Sequence, residues 1–413
     1  MRVIKENHSG ISTLLAFALI PLSGFATDVY IPSLPSMAAH LHVSTAAVQL
    51  SLILFMVSGG ISQLFVGSIL DSFGRFRLGA IALGIFALAS FTIASSDSIY
   101  LIYAMRIVQG IAVSIIVVGK RAYFMDIYSG DKLKHYTSLF SIIWATAPII
   151  APFLGGYLQS VWGWQSNFYF LGIFSLLILA LELIFSGESL KQYQKFKLKP
   201  ILEVYRSMIK TPDYTLGLII IALSYAMLVV YGLTSPFIIE HVFHYSSVTT
   251  GYCSLLSGVA LMTGGIISKT MIRRPLTTKI IVAISIQAIT AVAMIVAAGY
   301  SSNVYTLMAF TLIIHMISGF VFNNFFAYCL GRFSKNAGIA SGVTGGTMFM
   351  LASIISYSVV GVVSIKSQEV LGGAFLGLAL VLSIAIGLFM KVHNVQEGKL
   401  AAEQDTSRKL QIA

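Results

Sequence analysis

Two ionisable residues stand inside otherwise apolar stretches, and their types define the chemistry available to the chain. Asp28 lies near the end of an apolar run over residues 12–33, and Arg106 lies inside a run over residues 99–122. A charge held in hydrocarbon costs from ~2.5 to over 10 kcal/mol, depending on the method. Each therefore needs a partner or a wet cavity. At ~1.5 Å per residue, both sit roughly 7–11 Å from the same end of their helices, and that match in depth predicts an Asp28–Arg106 pair. An arginine stays protonated and cannot shuttle protons, but it can hold a carboxylate ionised or accept an anionic or polar group. Asp28 can bind a proton as a cationic ligand leaves and release one as the ligand arrives. A static ion pair joining two helices is the competing reading.

The other candidates are weaker. Glu182 lies in the last third of its apolar run and is expected to snorkel to the surface. His315 has no acidic neighbour in sequence and is expected as a hydrogen-bonded core histidine rather than a proton relay. Neither belongs to a metal-binding spacing. Cys253 and Cys329 form no CxxC and read as small buried apolar residues. No metal and no cofactor are expected. A GxxxxGK[ST] phosphate loop is absent, so ATP is not the expected energy source. An enzyme would need a nucleophile, base or metal ligands converging at one depth. One aspartate, one arginine and an isolated histidine do not supply them.

The elements that must position these residues follow from composition. Of 413 residues 57% are hydrophobic and 10% charged, against about 25% charged in a soluble domain. Such a chain must be solvated by lipid. Apolar runs long enough to cross the ~30 Å hydrocarbon core are placed at 12–33, 46–67, 78–97, 99–122, 137–159 and 164–187, then at 214–237, 247–271, 279–299, 303–330, 337–363 and 368–391. The first run is read as an uncleaved span, since it is long enough to cross and another follows directly. The layout is a first half over 1–187, a basic linker over 188–213, a second half over 214–391 and a tail over 392–413.

The net charge of +11 does not point to nucleic acid, because the basic residues are spread over short loops rather than gathered on one face. With the N-terminus in the cytoplasm, nearly every loop lysine and arginine falls on the inner side and only Lys366 on the outer. The positive-inside rule therefore predicts both termini in the cytoplasm. The linker is expected to form a helix on the inner leaflet, with Phe196, Leu198, Ile201, Leu202 and Tyr205 available to lipid, or else a loose charged loop.

Several stretches carry a family resemblance. The loop after span two, Gly67-Ser-Ile-Leu-Asp71-Ser-Phe-Gly74-Arg75, resembles the major facilitator pattern G-x-L-x-D-x-x-G-R. Span one ends in Thr27-Asp28-Val29-Tyr30-Ile31-Pro32, span four carries Arg106-Ile-Val-Gln109-Gly110, and span five carries Ala147-Pro148-Ile-Ile-Ala151-Pro152-Phe-Leu-Gly155-Gly156. Together they are similar to the Bcr/CflA branch of the drug:proton antiporters. Three departures stand out: Met125 before Asp126, Asn323-Asn324 in span ten, and Gly187-Glu188 after span six.

The resemblance implies an all-α membrane protein of twelve helices in two pseudo-symmetric six-helix halves. It implies a proton-coupled exporter of small amphipathic molecules in the inner membrane of a bacterium, working by alternating access. A carrier of one specific metabolite, such as a siderophore, is the alternative. The expected partners are a small-molecule substrate, protons and the lipid bilayer, and the expected state is a monomer. Asp71, Arg75 and Asp126 would form a charge network latching the inner gate, with Gly67 and Gly74 shaping its loop. Pro148, Pro152, Gly155 and Gly156 would form a sliding surface between halves, as would Gly338, Gly342 and Gly346. For the substrate cavity, aromatic and amide groups at membrane depth are the candidates: Tyr30, Trp144, Tyr225, Tyr231, Asn323, Asn324, Phe326 and Met348.

Overall fold

The computed structural model describes residues 8–193, 198–333 and 337–412. Phe196 and the side chains of Leu198 and Ile201, offered to lipid by the linker sequence, lie outside the described residues.

The first apolar run is a broken helix. It comprises α1 (Ser9–Leu19), α2 (Leu22–Asp28), one tight turn at Ile31–Ser33 and α3 (Leu34–His40). The breaks follow the prolines. Pro21 immediately precedes α2, and Pro32 and Pro35 sit in the first turns of the later segments. Proline lacks the N–H of the helical ladder and clashes with the preceding turn. The helical path therefore reaches His40 rather than residue 33, and Asp28 stands at an interruption.

The remaining helices are α4 (Thr45–Phe73), α5 (Arg75–Ala94), α6 (Ile99–Ile127), the short α7 (Gly130–Ser138), α8 (Phe140–Trp162), α9 (Gln165–Phe185), the linker helix α10 (Leu198–Ile209), α11 (Pro212–Phe237), α12 (Ser247–Thr270), α13 (Leu276–Tyr300), α14 (Val304–Arg332), α15 (Ala337–Val363) and α16 (Gln368–Ile412). Among the described residues, eleven of the helical runs are long and apolar enough to cross a membrane. The 23 residues of α8 add a further helix of about 35 Å. The last helix runs 45 residues without a break, where a separate tail was expected from 392. Its continuation is rich in Ala, Glu, Lys, Gln and Leu, all strong helix formers.

Helices α1–α9 pack largely with one another, notably α4 and α5 on α6 and α5 on α9, and α11–α16 do the same. Two seams join the sets, α4 against α15 and α8 against α12. Both need missing side chains. A Cβ on Gly60 would lie 2.6 Å from the Gly346 carbonyl oxygen, and one on Gly258 would lie 2.7 Å from that of Pro148. Small residues let membrane helices approach this closely. The linker helix docks on α4 rather than turning all its apolar face to lipid. The Tyr205 hydroxyl donates to the Leu64 carbonyl, and its ring sits 6.5 Å from that of Phe65.

Candidate functional site

Arg106 is wholly buried on α6. Its guanidinium lies between the rings of Tyr30 and Phe55, 4.7 and 4.1 Å from their centroids. It donates twice to the Ala26 carbonyl, at 3.1 and 3.2 Å, and once to Gln109 Oε1 at 2.9 Å. Gln109 in turn donates to Ser90 on α5. Delocalised and weakly hydrated, a guanidinium suits this stacked, carbonyl-rich setting.

The Asp28–Arg106 pair expected from depth is not formed. Depth along a helix says nothing of rotation about it, and the broken first helix turns its Ala26 carbonyl, not the Asp28 carboxylate, toward Arg106. Asp28 faces the other way, into a cavity at the α8–α12 seam. Thr27, Asp28, Pro148, Pro152, Tyr225 and Ser257 are among its lining residues. No described residue forms an ion pair or hydrogen bond with the Asp28 carboxylate. The cavity measures about 30 Å³, which is room for a water or two.

The cavity candidates divide. Tyr225 and Tyr231 line the cavity. Trp144 sits 6.4 Å from Tyr225, and Phe326 stacks on Phe322, which is 6.2 Å from Tyr225, so both belong to an aromatic cluster behind that ring. Tyr30 is instead the floor under Arg106, its hydroxyl 3.2 Å from Ser51. Asn323 and Asn324 bond to carbonyls of their own helix, Gly319 and Phe320, and Asn323 presses on Gly265 of α12. Met348 is buried outside the lining. The sequence missed Ser254 and Ser257, which line the cavity from α12. Serines are common at helix contacts and gave no signal. Behind Ser257 stands His315, fully buried, with Nδ1 2.6 Å from the serine oxygen.

At the end of the bundle that carries the basic loops, Arg75 bridges Asp71 at 2.9 Å and Asp126 at 2.5 Å. Glu188 completes the cluster. Its carboxylate accepts the backbone N–H groups of Arg75 and Phe76, at 3.0 and 3.2 Å, at the start of α5. A negative group is favoured there by the helix dipole and its unpaired donors. Ser189 bonds Asp126 at 2.8 Å. Gly74 is required on two counts: its φ is +93°, and a Cβ would fall 2.6 Å from Glu188 Oε2. Gly67 has nothing within 4 Å of where a Cβ would lie, so no local packing demands a glycine.

Glu182 does not snorkel. It is 2% exposed and pairs with Lys120 at 2.6 Å, because α6 brings a lysine to its depth. A corresponding pair joins the other set of helices, where Asp213 accepts from Arg332 and Tyr328, each at 2.7 Å. At the far end, the two sets are joined by Gln49, whose buried amide donates to the Leu233 carbonyl at 2.6 Å, and by Ser247, which donates to the Gly156 carbonyl at 3.3 Å. Gly155 lies against Val29 in the same region. Among the described residues no group of three or more His, Cys, Asp or Glu gathers to hold a metal.

Residues 16–357 match the Major Facilitator Superfamily. The chain belongs to that superfamily. It is 27% identical over 343 residues to the uncharacterized MFS-type transporter YdgK of Bacillus subtilis, covering 80% of this chain and 83% of that one. It is 31% identical over 158 residues to multidrug resistance protein D of Escherichia coli, covering 38% and 40% of the two chains. Over 195 residues it is 31% identical to the bicyclomycin resistance protein homolog of Haemophilus influenzae, covering 47% and 48%. The chain thus matches under half the length of these two relatives. The names of these two relatives, multidrug resistance and bicyclomycin resistance, agree with the drug-transporter resemblance carried by the motifs. Among solved structures, the nucleoside transporter NupG superposes with a TM-score of 0.69 at 15% identity over 92% of this chain and 98% of that one. The D-xylose-proton symporter gives 0.66 at 17% over 90% and 97%. These show the fold alone, which is the all-α major facilitator fold. This transporter is a multi-pass membrane protein.

Proposed function

We propose that this transporter is a proton-coupled exporter of small amphipathic cations and related drugs, moving them across the bacterial inner membrane by alternating access. Drug-resistance relatives support the substrate class. The observation that carries the mechanism is the Asp28 carboxylate, the charged side chain among those lining the seam cavity. A cationic ligand and a proton compete for such a group. Ligand arriving from the cytoplasm displaces the proton, and protonation from the outside releases the ligand. Arg106 holds the broken first helix by its Ala26 carbonyl and so positions Asp28 without neutralising it. The basic end, assigned to the cytoplasm with both termini, carries the Arg75 latch. The Gln49 bond closes the outer end. With Gln49 bonded to Leu233 and α4 packed on α15 through Gly60 and Gly346, around a cavity too small for a drug, this reading takes the arrangement as an occluded state.

The test is proton release. Purified protein in weakly buffered detergent is exposed to tetraphenylphosphonium, ethidium and chloramphenicol while pH is followed. Wild type is expected to release protons with the cations, and Asp28→Asn to bind without release. Equal release by Asp28→Asn would refute the role given to that carboxylate.

A further inference from the structure

Two hydroxyls on the α12 wall of the seam cavity are built in a way that packing alone does not require. Ser254 and Ser257 are three residues apart, hence on one helical face, and both line the cavity with Asp28. The Ser254 oxygen is buried with no hydrogen-bond partner. A serine in a membrane helix ordinarily satisfies itself on the carbonyl four residues back, as Thr290 and Ser318 do here. Ser257 bonds instead to His315 Nδ1 at 2.6 Å. That imidazole is wedged edge-on between Tyr231 and Phe375, with centroids at 5.1 and 6.0 Å, and a backbone hydrogen bond to Met227 helps to hold it. The ring cannot swing away, so it fixes the serine oxygen at the cavity wall. An unpaired buried hydroxyl is unfavourable unless a ligand or water fills the site.

We propose that Ser254 and Ser257 form a hydrogen-bonding subsite for an uncharged polar group of the substrate, a carbonyl, amide or hydroxyl, and that His315 is the positioning residue that sets Ser257. Asp28 takes positive charge and the α12 wall takes the polar group. The inference rests on the seam cavity being the substrate site, as proposed above.

Two probes separate the parts. Chloramphenicol carries hydroxyls and an amide and no charge; tetraphenylphosphonium carries charge and no hydrogen-bonding group. The Ser254→Ala/Ser257→Ala double variant and His315→Leu are each expected to weaken chloramphenicol binding about tenfold and leave tetraphenylphosphonium unchanged. His315→Asn, which keeps a polar atom near the place of Nδ1, is expected to restore most of the affinity. Equal loss for both probes, or no loss for either, would overturn the subsite. If wild type binds neither probe, the cavity's reading as a drug site fails, and thiol chemistry decides the subsite alone. With Cys253 and Cys329 replaced by Ala, Ser257→Cys should react with a small methanethiosulfonate. The imidazole beside that position is placed to take the thiol proton as the sulfur attacks, so adding His315→Leu should slow the reaction at least tenfold. An unreactive Cys at 257, or a rate indifferent to His315, would overturn the proposal.

Discussion

Replacing Gln49 by Leu removes a side-chain hydrogen bond that joins the two sets of helices at the end proposed above to face outside. The amide is 3% exposed and lies 2.6 Å from the Leu233 carbonyl. Leucine is close in volume and brings no polar group of its own, so the loss is near the net worth of one hydrogen bond, about 0.5–1.5 kcal/mol. At about 1.4 kcal/mol per factor of ten, the balance between closed and open outer ends shifts about 2- to 12-fold toward open. Ile31 lines the cavity on that side and touches Gly232, so Ile31→Cys reports the opening. The background carries Ala in place of Cys253 and Cys329, both buried. A membrane-impermeant maleimide added outside intact cells should label this reporter about 2- to 12-fold faster with Gln49→Leu than without it. An unchanged or slower rate would show that the Gln49 bond does not hold the outer end closed.

Two further outcomes follow from the charge clusters. Gly74→Ala forces a residue with a Cβ into φ +93°, ψ +148° and against Glu188 Oε2; backbone there is open essentially to glycine alone and costs about 1–3 kcal/mol for another residue, so thermal unfolding in detergent should move down, and an unshifted transition would contradict the strain. Lys120→Met leaves Glu182 buried without its cation, a change costing about 3–5 kcal/mol, whereas Lys120→Met with Glu182→Leu should recover most of it. A double variant as unstable as the single would argue that the pair contributes no mutual compensation.

Much of the fold was legible because lipid imposes a simple rule: a run of about 20 apolar residues is a helix. Boundaries were less legible where helices continue past the hydrocarbon. Asp126 lies inside α6, and α16 runs on to Ile412, since nothing in water forbids a helix that lipid has begun. The Asp71–Arg75 contact was legible because the two stand four residues apart across the Gly74 turn between α4 and α5, a local relation carried by the loop motif. Glu182 was misplaced because its partner, Lys120, comes from a helix about sixty residues away. Glu188 looked like a degraded motif, and its value appears only when α5 begins beside it.

The same limit explains Asp28 and Arg106, and the correction strengthens the transport argument. A carboxylate clamped by a guanidinium resists protonation, and an exchanger built on it would have to break the clamp in every cycle. Here the guanidinium's donors go to Ala26, Gln109 and, at 3.4 Å, Ser51, all uncharged groups. The rings of Tyr30 and Phe55 cover its faces. Among the described residues no counter-ion meets its charge. The carboxylate two residues along from Ala26 is left to the cavity, where on the proposed mechanism ligand and proton compete for it. A helix broken by Pro21 and Pro32 goes with this separation, the Ala26 carbonyl meeting the arginine while the Asp28 carboxylate lines the cavity. On the proposed exchange mechanism, the prolines of span one, which the motif carried without an assigned role, belong to the coupling device.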